Sequence, residues 1–161
     1  MRRAACPGSY DPPTHGHLDI IARTARQFDE VHVLVGNNSS KTGLFTPPER
    51  VELLVEACAE LPAVQVHLFD GLVVDYCRQQ SIDCVVKGLR VAADFDYEMQ
   101  MAQMNQAMTG IETVFMPAAA RWAFISSSLV RDIARFGGEF DQFVTPQIAA
   151  RTRDKLASRD N

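Results

Sequence analysis

Pro7-Gly8-Ser9-Tyr10-Asp11-Pro12-Pro13-Thr14-His15-Gly16-His17 is the stretch on which the reading of the fold turns. Ahead of it runs apolar Ala4-Ala5-Cys6; behind it Leu18, Ile21, Ala22 and Ala25 recur at helical spacing in a segment reaching Phe28. The order is strand, turn, helix. A helix opening near Gly16 aims unpaired N–H groups and the positive end of its dipole into the turn, and Gly8 and Gly16 would let a ligand approach the backbone. A phosphate group suits such a place, and His17 adds a directional donor. Taken alone, the same residues also describe a turn punctuated by Gly and Pro with Thr14 as helix cap.

Outward from that turn the pattern repeats. Val31-His32-Val33-Leu34-Val35 is a β-branched run closed by Gly36, as in a strand covered on both faces, with His32 a core or edge histidine. Asn37 to Thr46 has no periodicity and reads as a mobile loop; Pro47-Pro48 then opens a helix carrying Val51, Leu54, Val55 and Cys58. Val64 to Phe69, Cys84 to Val86 and Glu112 to Met116 read as further strands, with helices over Leu72 to Gln80 and Asp94 to Met108 between them. A helix holding Leu129, Val130, Ile133 and Ala134 stops at Gly137-Gly138, and a last one covers Pro146 to Leu156. Such alternation demands right-handed crossovers and a parallel sheet. The expectation is one α/β domain over residues 1 to 161, five parallel strands flanked by helices, binding its ligands beyond the carboxyl ends of the strands.

Composition narrows the partners. The 161 residues, 47% hydrophobic and 22% charged, suit a single core, and no repeat, low-complexity segment or linker divides them. A net charge of −4 argues against a broad nucleic-acid footprint, which needs clustered Lys and Arg, so any phosphate site is local. Arg2-Arg3 at one end and Arg151, Arg153, Lys155 and Arg159 at the other read as solvated faces rather than RNA-binding tails. There is no signal-peptide pattern and no apolar run of the ~18 to 20 residues that span a bilayer, so the expected setting is cytoplasmic, without membrane contact. Cys6, Cys58, Cys77 and Cys84 form no C-x-x-C pair and read as reduced core thiols; no residue is assigned to a metal.

Further segments carry groups suited to phosphate chemistry. Lys87-Gly88-Leu89-Arg90 follows a strand and would present an amine and a guanidinium at the ligand end of the sheet. Ser126-Ser127-Ser128 opens a helix; capping accounts for one serine, whereas three hydroxyls beside free backbone N–H groups could hold phosphates. Glu98 lies on the helix opening at Asp94, where the dipole favours carboxylates in any case. Met99, Met101, Met104 and Met108 crowd that helix and read as core or subunit packing. Lys41, within Ser39-Ser40-Lys41-Thr42-Gly43, is by itself an ordinary exposed lysine.

Together these segments resemble a known family. Thr14-His15-Gly16-His17 is similar to the T/H-x-G-H signature of the nucleotidyltransferases related to class I aminoacyl-tRNA synthetases. Pro7 to Pro12, Lys87 to Arg90, Asp94-Phe95-Asp96-Tyr97-Glu98 and Phe124-Ile125-Ser126-Ser127-Ser128 then follow in the order and at the spacing of the bacterial phosphopantetheine adenylyltransferases. The likeness extends over nearly the whole chain. At Ser9 that family also uses threonine, at Tyr10 usually phenylalanine and at Lys87 often arginine, so the hydroxyl, the ring and the cation are each kept.

The resemblance implies a Rossmann-like, dinucleotide-binding fold and transfer of the adenylyl group of ATP to 4′-phosphopantetheine, giving dephospho-coenzyme A and pyrophosphate. It gives His17 the role of transition-state stabiliser, with Lys41 beside it. Ser9, Lys41, Val73 and Lys87 would bind phosphopantetheine, Val73 against the pantetheine arm. Ser9, Tyr10, His17, Gly88, Leu89, Arg90 and Glu98 would hold ATP, together with Trp122, Ala123, Phe124, Ile125, Ser126, Ser127 and Ser128. Mg²⁺ would enter through the ATP phosphates, the chain would assemble as a homohexamer, and coenzyme A is a candidate feedback inhibitor.

Rival readings share parts of this pattern. A cytidylyltransferase or a nicotinate-mononucleotide adenylyltransferase would carry the same G-H and serine-rich signatures. A non-catalytic ATP sensor could use the same fold, although the joint presence of His17, Lys41 and Ser128 disfavours it. An aminoacyl-tRNA synthetase needs a tRNA-recognition domain for which 161 residues leave no room.

Overall fold

The computed structural model describes residues 1–37 and 43–158, with all side chains but those of residues 92–94. Its sheet has five strands: β1 (Arg3–Gly8), β2 (Glu30–Gly36), β3 (Val64–Phe69), β4 (Cys84–Leu89) and β5 (Glu112–Pro117). They lie in the order β3-β2-β1-β4-β5, all parallel, as the alternation predicts. Six helices cover it: α1 (His15–Ala25), α2 (Pro47–Ala57), α3 (Val73–Gln79), α4 (Ala92–Thr109), α5 (Ser127–Arg135) and α6 (Pro146–Ala157), with a short 3-10 turn at Asp141–Phe143.

Period-two alternation divides the core between the two faces of the sheet. Ala4, Cys6, Val31, Val33, Val35 and Val86 meet Ile20 and Ile21 of α1 and Leu54 of α2 on one face. Ala5, Leu34 and Val85 meet Val74 and Cys77 of α3 on the other. A third cluster joins Leu44, Phe45 and Leu53 to Val130, Phe140 and Ile148, fixing α5 and α6 beside α2. Each fully buried aliphatic side chain contributes about 1.5–3 kcal/mol of apolar burial.

Helix starts follow side-chain chemistry. α1 begins three residues before the apolar periodicity, because Thr14 and His17 form a reciprocal capping box. Thr46 and Glu49 do the same for α2, and the Ser126 hydroxyl accepts the Leu129 N–H at 3.1 Å to open α5. α1 ends at Ala25, short of Phe28, where the Thr24 carbonyl accepts the N–H groups of both Gln27 and Phe28.

One boundary corrects the sequence reading. β4 does not stop at Val86: Lys87, Gly88 and Leu89 continue it, paired in register with Phe115, Met116 and Pro117 of β5. Gly88 is needed there because a Cβ would lie 2.9 Å from Cγ1 of Ile20 on α1. The pairing of β1 with β4 is shorter, covering only Ala4 with Cys84 and Ala5 with Val85. Beyond these residues the two strands part, at the point where strand order reverses, and the sheet opens for a ligand.

The terminal basic residues are structured. Arg3 pairs with Glu30 at 2.9 Å, Arg151 with Glu52 at 3.1 Å and Lys155 with Glu49 at 2.6 Å, and Arg153 meets Asp141. Arg159 lies outside the described residues. All four cysteines are buried free thiols, and among the described residues no helix is long and apolar enough to cross a membrane.

Candidate active site

Two cavities open where β1 and β4 part. The first, about 400 Å³, lies on the α1 face and is lined by Ser9, Tyr10, His17, Lys87, Gly88, Arg90, Glu98, Trp122, Ile125 and Ser126 to Ser128, among others. The second, about 670 Å³, lies on the α3 and α4 face and is more apolar, with Phe69, Leu72, Val73, Met101 and Met104 in its walls. Ser9, Lys87 and Glu98 belong to both, so the cavities meet at the carboxyl end of the sheet.

His17 stands on the first turn of α1, half-buried in the wall of the first cavity. The backbone N–H of Thr14 donates to its Nδ1 at 3.0 Å, and its own N–H is directed at the Thr14 hydroxyl at 3.4 Å. Burial first, and the nearby Arg90 guanidinium second, push its pKa down from 6.5 to about 4. At neutral pH the ring is therefore uncharged, accepts at Nδ1 and carries its proton on Nε2. Tyr10 packs edge-on against it with ring centroids 5.0 Å apart, its own hydroxyl donating to the Cys6 carbonyl at 2.8 Å. Gly8, which lines both cavities, also serves this packing: a Cβ there would lie 2.8 Å from Cε2 of Tyr10.

Facing His17, the serine turn is tied to the first signature. The Ser127 hydroxyl donates to the Pro12 carbonyl at 2.8 Å, and Arg90 Nη1 donates to the Ile125 carbonyl at 2.9 Å. Arg131 Nη2 donates to the Ser128 hydroxyl at 3.3 Å. The first-turn N–H groups of α1 and α5 and the cations Arg90 and Lys87 thus border one space, an arrangement suited to a chain of phosphates. At the junction Lys87 Nζ lies 3.3 Å from Glu98 Oε1, so each holds the other in place.

Not every expected residue reaches the cavities. Leu89, Ala123 and Phe124 are absent from the lining; the Leu89 carbonyl is occupied by the Ala118 N–H at 2.8 Å, and Phe124 packs edge-on with Phe143. Val73 lines the second cavity, as expected, but Lys41 lies outside the described residues. Met101, Met104 and Met108 are exposed in the chain and line the second cavity, so they are not core.

Sequence reasoning missed a buried ionic hub. The carboxylate of Asp11 accepts the N–H of Leu44 at 2.9 Å and of Phe45 at 2.8 Å. It also lies 3.5 Å from Nε of Arg50 and 3.6 Å from Nη1 of Arg131. These partners are distant in sequence, so the only trace along the chain is an acid between apolar neighbours and a proline.

Comparisons with known proteins agree with this geometry. Residues 5–133 match the sequence model of the family described as Cytidylyltransferase-like. A phosphopantetheine adenylyltransferase of Nocardioides sp. is 51% identical over 158 residues, covering 98% of this chain and 99% of the relative. The enzyme of that name from Streptomyces coelicolor is 49% identical over 159 residues, covering 99% and 100%. The chain belongs to the phosphopantetheine adenylyltransferase family. Among solved structures, a Vibrio parahaemolyticus protein titled as a nicotinate-nucleotide adenylyltransferase superposes with a TM-score of 0.72 at 16% identity, covering 100% of this chain and 98% of its own. A lipopolysaccharide core biosynthesis protein of Thermoplasma volcanium gives 0.54 at 20% identity over 74% of this chain and 97% of its own. At such identities the likeness is one of fold, the Rossmann-like α/β layering expected from the sequence.

Proposed function

We propose that the protein transfers the adenylyl group of ATP to 4′-phosphopantetheine, forming dephospho-coenzyme A and pyrophosphate. The observation that carries this reading is the meeting of a cation-lined cavity with a larger, more apolar one at Ser9 and Lys87. The first suits a nucleoside triphosphate and the second the pantetheine arm, against Val73, so the two phosphates would face each other at the junction.

The acceptor phosphate is largely dianionic at neutral pH, its second ionisation lying near 6, and needs no base. One of its oxygens attacks the α-phosphorus of ATP in line; the bond from that phosphorus to the α,β-bridging oxygen breaks, and pyrophosphate leaves with the electron pair. The chain's work is positioning and charge stabilisation. The Nε2–H of His17 donates to the α-phosphate oxygens as charge builds there, Lys87 and Lys41 hold the acceptor phosphate, and Arg90 with Ser126 to Ser128 retains the leaving phosphates. Glu98 orients Lys87 and reaches the nucleotide. Mg²⁺ is a companion of the substrate in this scheme, neutralising the ATP phosphates; the lining supplies one carboxylate, Glu98, already paired with Lys87, a donor set suited to a metal arriving on the nucleotide.

The exposed Tyr97, Met101, Met104 and Met108 on α4 support burial of this face between subunits, and the homohexamer is the assembly that the family resemblance implies. Coenzyme A, which contains the product, would compete as a feedback inhibitor, and the setting would be the cytoplasm.

Incubation with ATP, Mg²⁺ and 4′-phosphopantetheine is expected to give dephospho-coenzyme A and pyrophosphate in equal amounts. Replacing ATP by CTP, or the acceptor by nicotinate mononucleotide, is expected to give neither. Turnover only with a replacement, or ATP binding with no turnover, would defeat the reading.

A further inference from the structure

The Asp11 hub lies behind the junction of the cavities and ties Ser9, which lines both, to Arg50, which lines the second, and to Leu44 and Phe45. Through Leu44 and Phe45 it holds the chain that closes the β2 to α2 connection. Through Arg50 it reaches Ser9: Arg50 Nε donates to the Phe45 carbonyl at 2.9 Å while Nη1 donates to the Ser9 carbonyl at 3.2 Å. Arg50 also lines the second cavity and is itself buried. Asp11 and Arg50 thus form one closed network spanning Ser9 and Phe45.

Gly43 leaves this network no slack. A Cβ there would stand 2.6 Å from Oδ2 of Asp11 and overlap Nη2 of Arg50. On the nucleotide side Arg131 lies 3.6 Å from the Asp11 carboxylate and is also held by the Asp11 backbone carbonyl and the Ser128 hydroxyl, two acceptors that an amide at position 11 leaves in place. The geometry points to Asp11 as a positioning residue for the acceptor: with Arg50 it fixes Ser9 and the Gly43 to Phe45 segment in one register, so that the acceptor phosphate is aimed at the nucleotide.

An amide in place of the carboxylate keeps the shape but removes the charge that balances Arg50, and its NH₂ must face either an N–H or a guanidinium. This inference rests on the proposed adenylyl transfer, and the test separates the two. In Asp11→Asn, KM for 4′-phosphopantetheine is expected to rise about tenfold, the scale of one charge-assisted hydrogen bond, with the Kd for ATP within about twofold. Gly43→Ala should reproduce that selective loss with all charges kept. Asp11→Asn combined with Arg50→Gln should be no worse than the poorer single variant, because both act on one network. Equal losses for both substrates in Asp11→Asn and Gly43→Ala, or additive losses in the double variant, would overturn the assignment.

A readout that needs no turnover accompanies these. Hydrogen exchange at the Leu44 and Phe45 amides is expected to quicken at least tenfold in Asp11→Asn while α3 and α6 keep their protection. If the unaltered protein forms no dephospho-coenzyme A, the functional reading fails on its own, and exchange still decides whether Asp11 holds this segment; unchanged exchange counts against it.

Discussion

The N–H of Thr14 and Nδ1 of His17 are joined across 3.0 Å, and this one contact sets the tautomer of the imidazole at the centre of the site. With Nδ1 occupied as acceptor, the ring presents Nε2–H as a neutral donor. A helix cap therefore doubles as the device that fixes which donor the imidazole presents to the cavity.

His17→Ala is expected to lower kcat by about 10²- to 10³-fold, the usual effect of removing one donor to developing charge, while the Kd for ATP changes by less than about threefold. Steady-state kinetics with direct binding measurements check this. A raised KM with unchanged kcat would instead give His17 a role in ground-state binding alone.

Stability should fall between pH 6.5 and pH 4. The unfolded His17 takes up its proton near 6.5, whereas in the fold burial and Arg90 hold it off until about 4. Its contribution is complete above 6.5 and is lost as pH drops toward 4, up to about 3 kcal/mol. His15 and His67, both lowered mainly by burial, act in the same direction. Urea midpoints measured across this range should decline, less steeply in His17→Gln; a flat profile in the unaltered protein would refute the assignment.

Lys87→Met should reduce kcat/KM for both substrates by roughly 10- to 100-fold, because its ammonium faces both cavities and its loss leaves Glu98 unpaired. Lys87→Arg, which keeps the cation, should recover most of that loss. Parallel kinetics on the two variants distinguish charge from bulk.

The cysteines should be inert while the protein is folded. Burial raises the thiol of Cys6 to about 12 and those of Cys58 and Cys77 to about 11, and it raises Cys84 as well. Thiolate is the reactive form, so a thiol reagent at pH 8 should titrate none in buffer and all four in denaturant. Rapid labelling of the native protein would contradict this.

Much of the fold was legible because its signals are local. Five apolar runs at β spacing, alternating with helical periodicity, force the parallel layering, and the Gly- and Ser-rich segments must then fall at the carboxyl edge of the sheet. His17, Lys87, Arg90 and the three serines stand out by type and position, Ser9 and Glu98 only through the family resemblance, and all of them line one connected space. Boundaries were less legible: β4 runs on through Lys87 to Leu89 because β5 continues to pair with it, which no property of Lys-Gly-Leu announces.

What the sequence by itself determined was the class of fold and the chemical inventory of the site, since periodicity and residue type are properties of neighbours along the chain. What only the tertiary structure decided was partnership. Asp11 with Leu44, Phe45, Arg50 and Arg131, and the division of one sheet edge into a cation-lined cavity and a more apolar one, depend on where β1 and β4 part. Contacts between residues far apart in the chain leave no periodic trace, because distance in space is fixed by packing and not by sequence order.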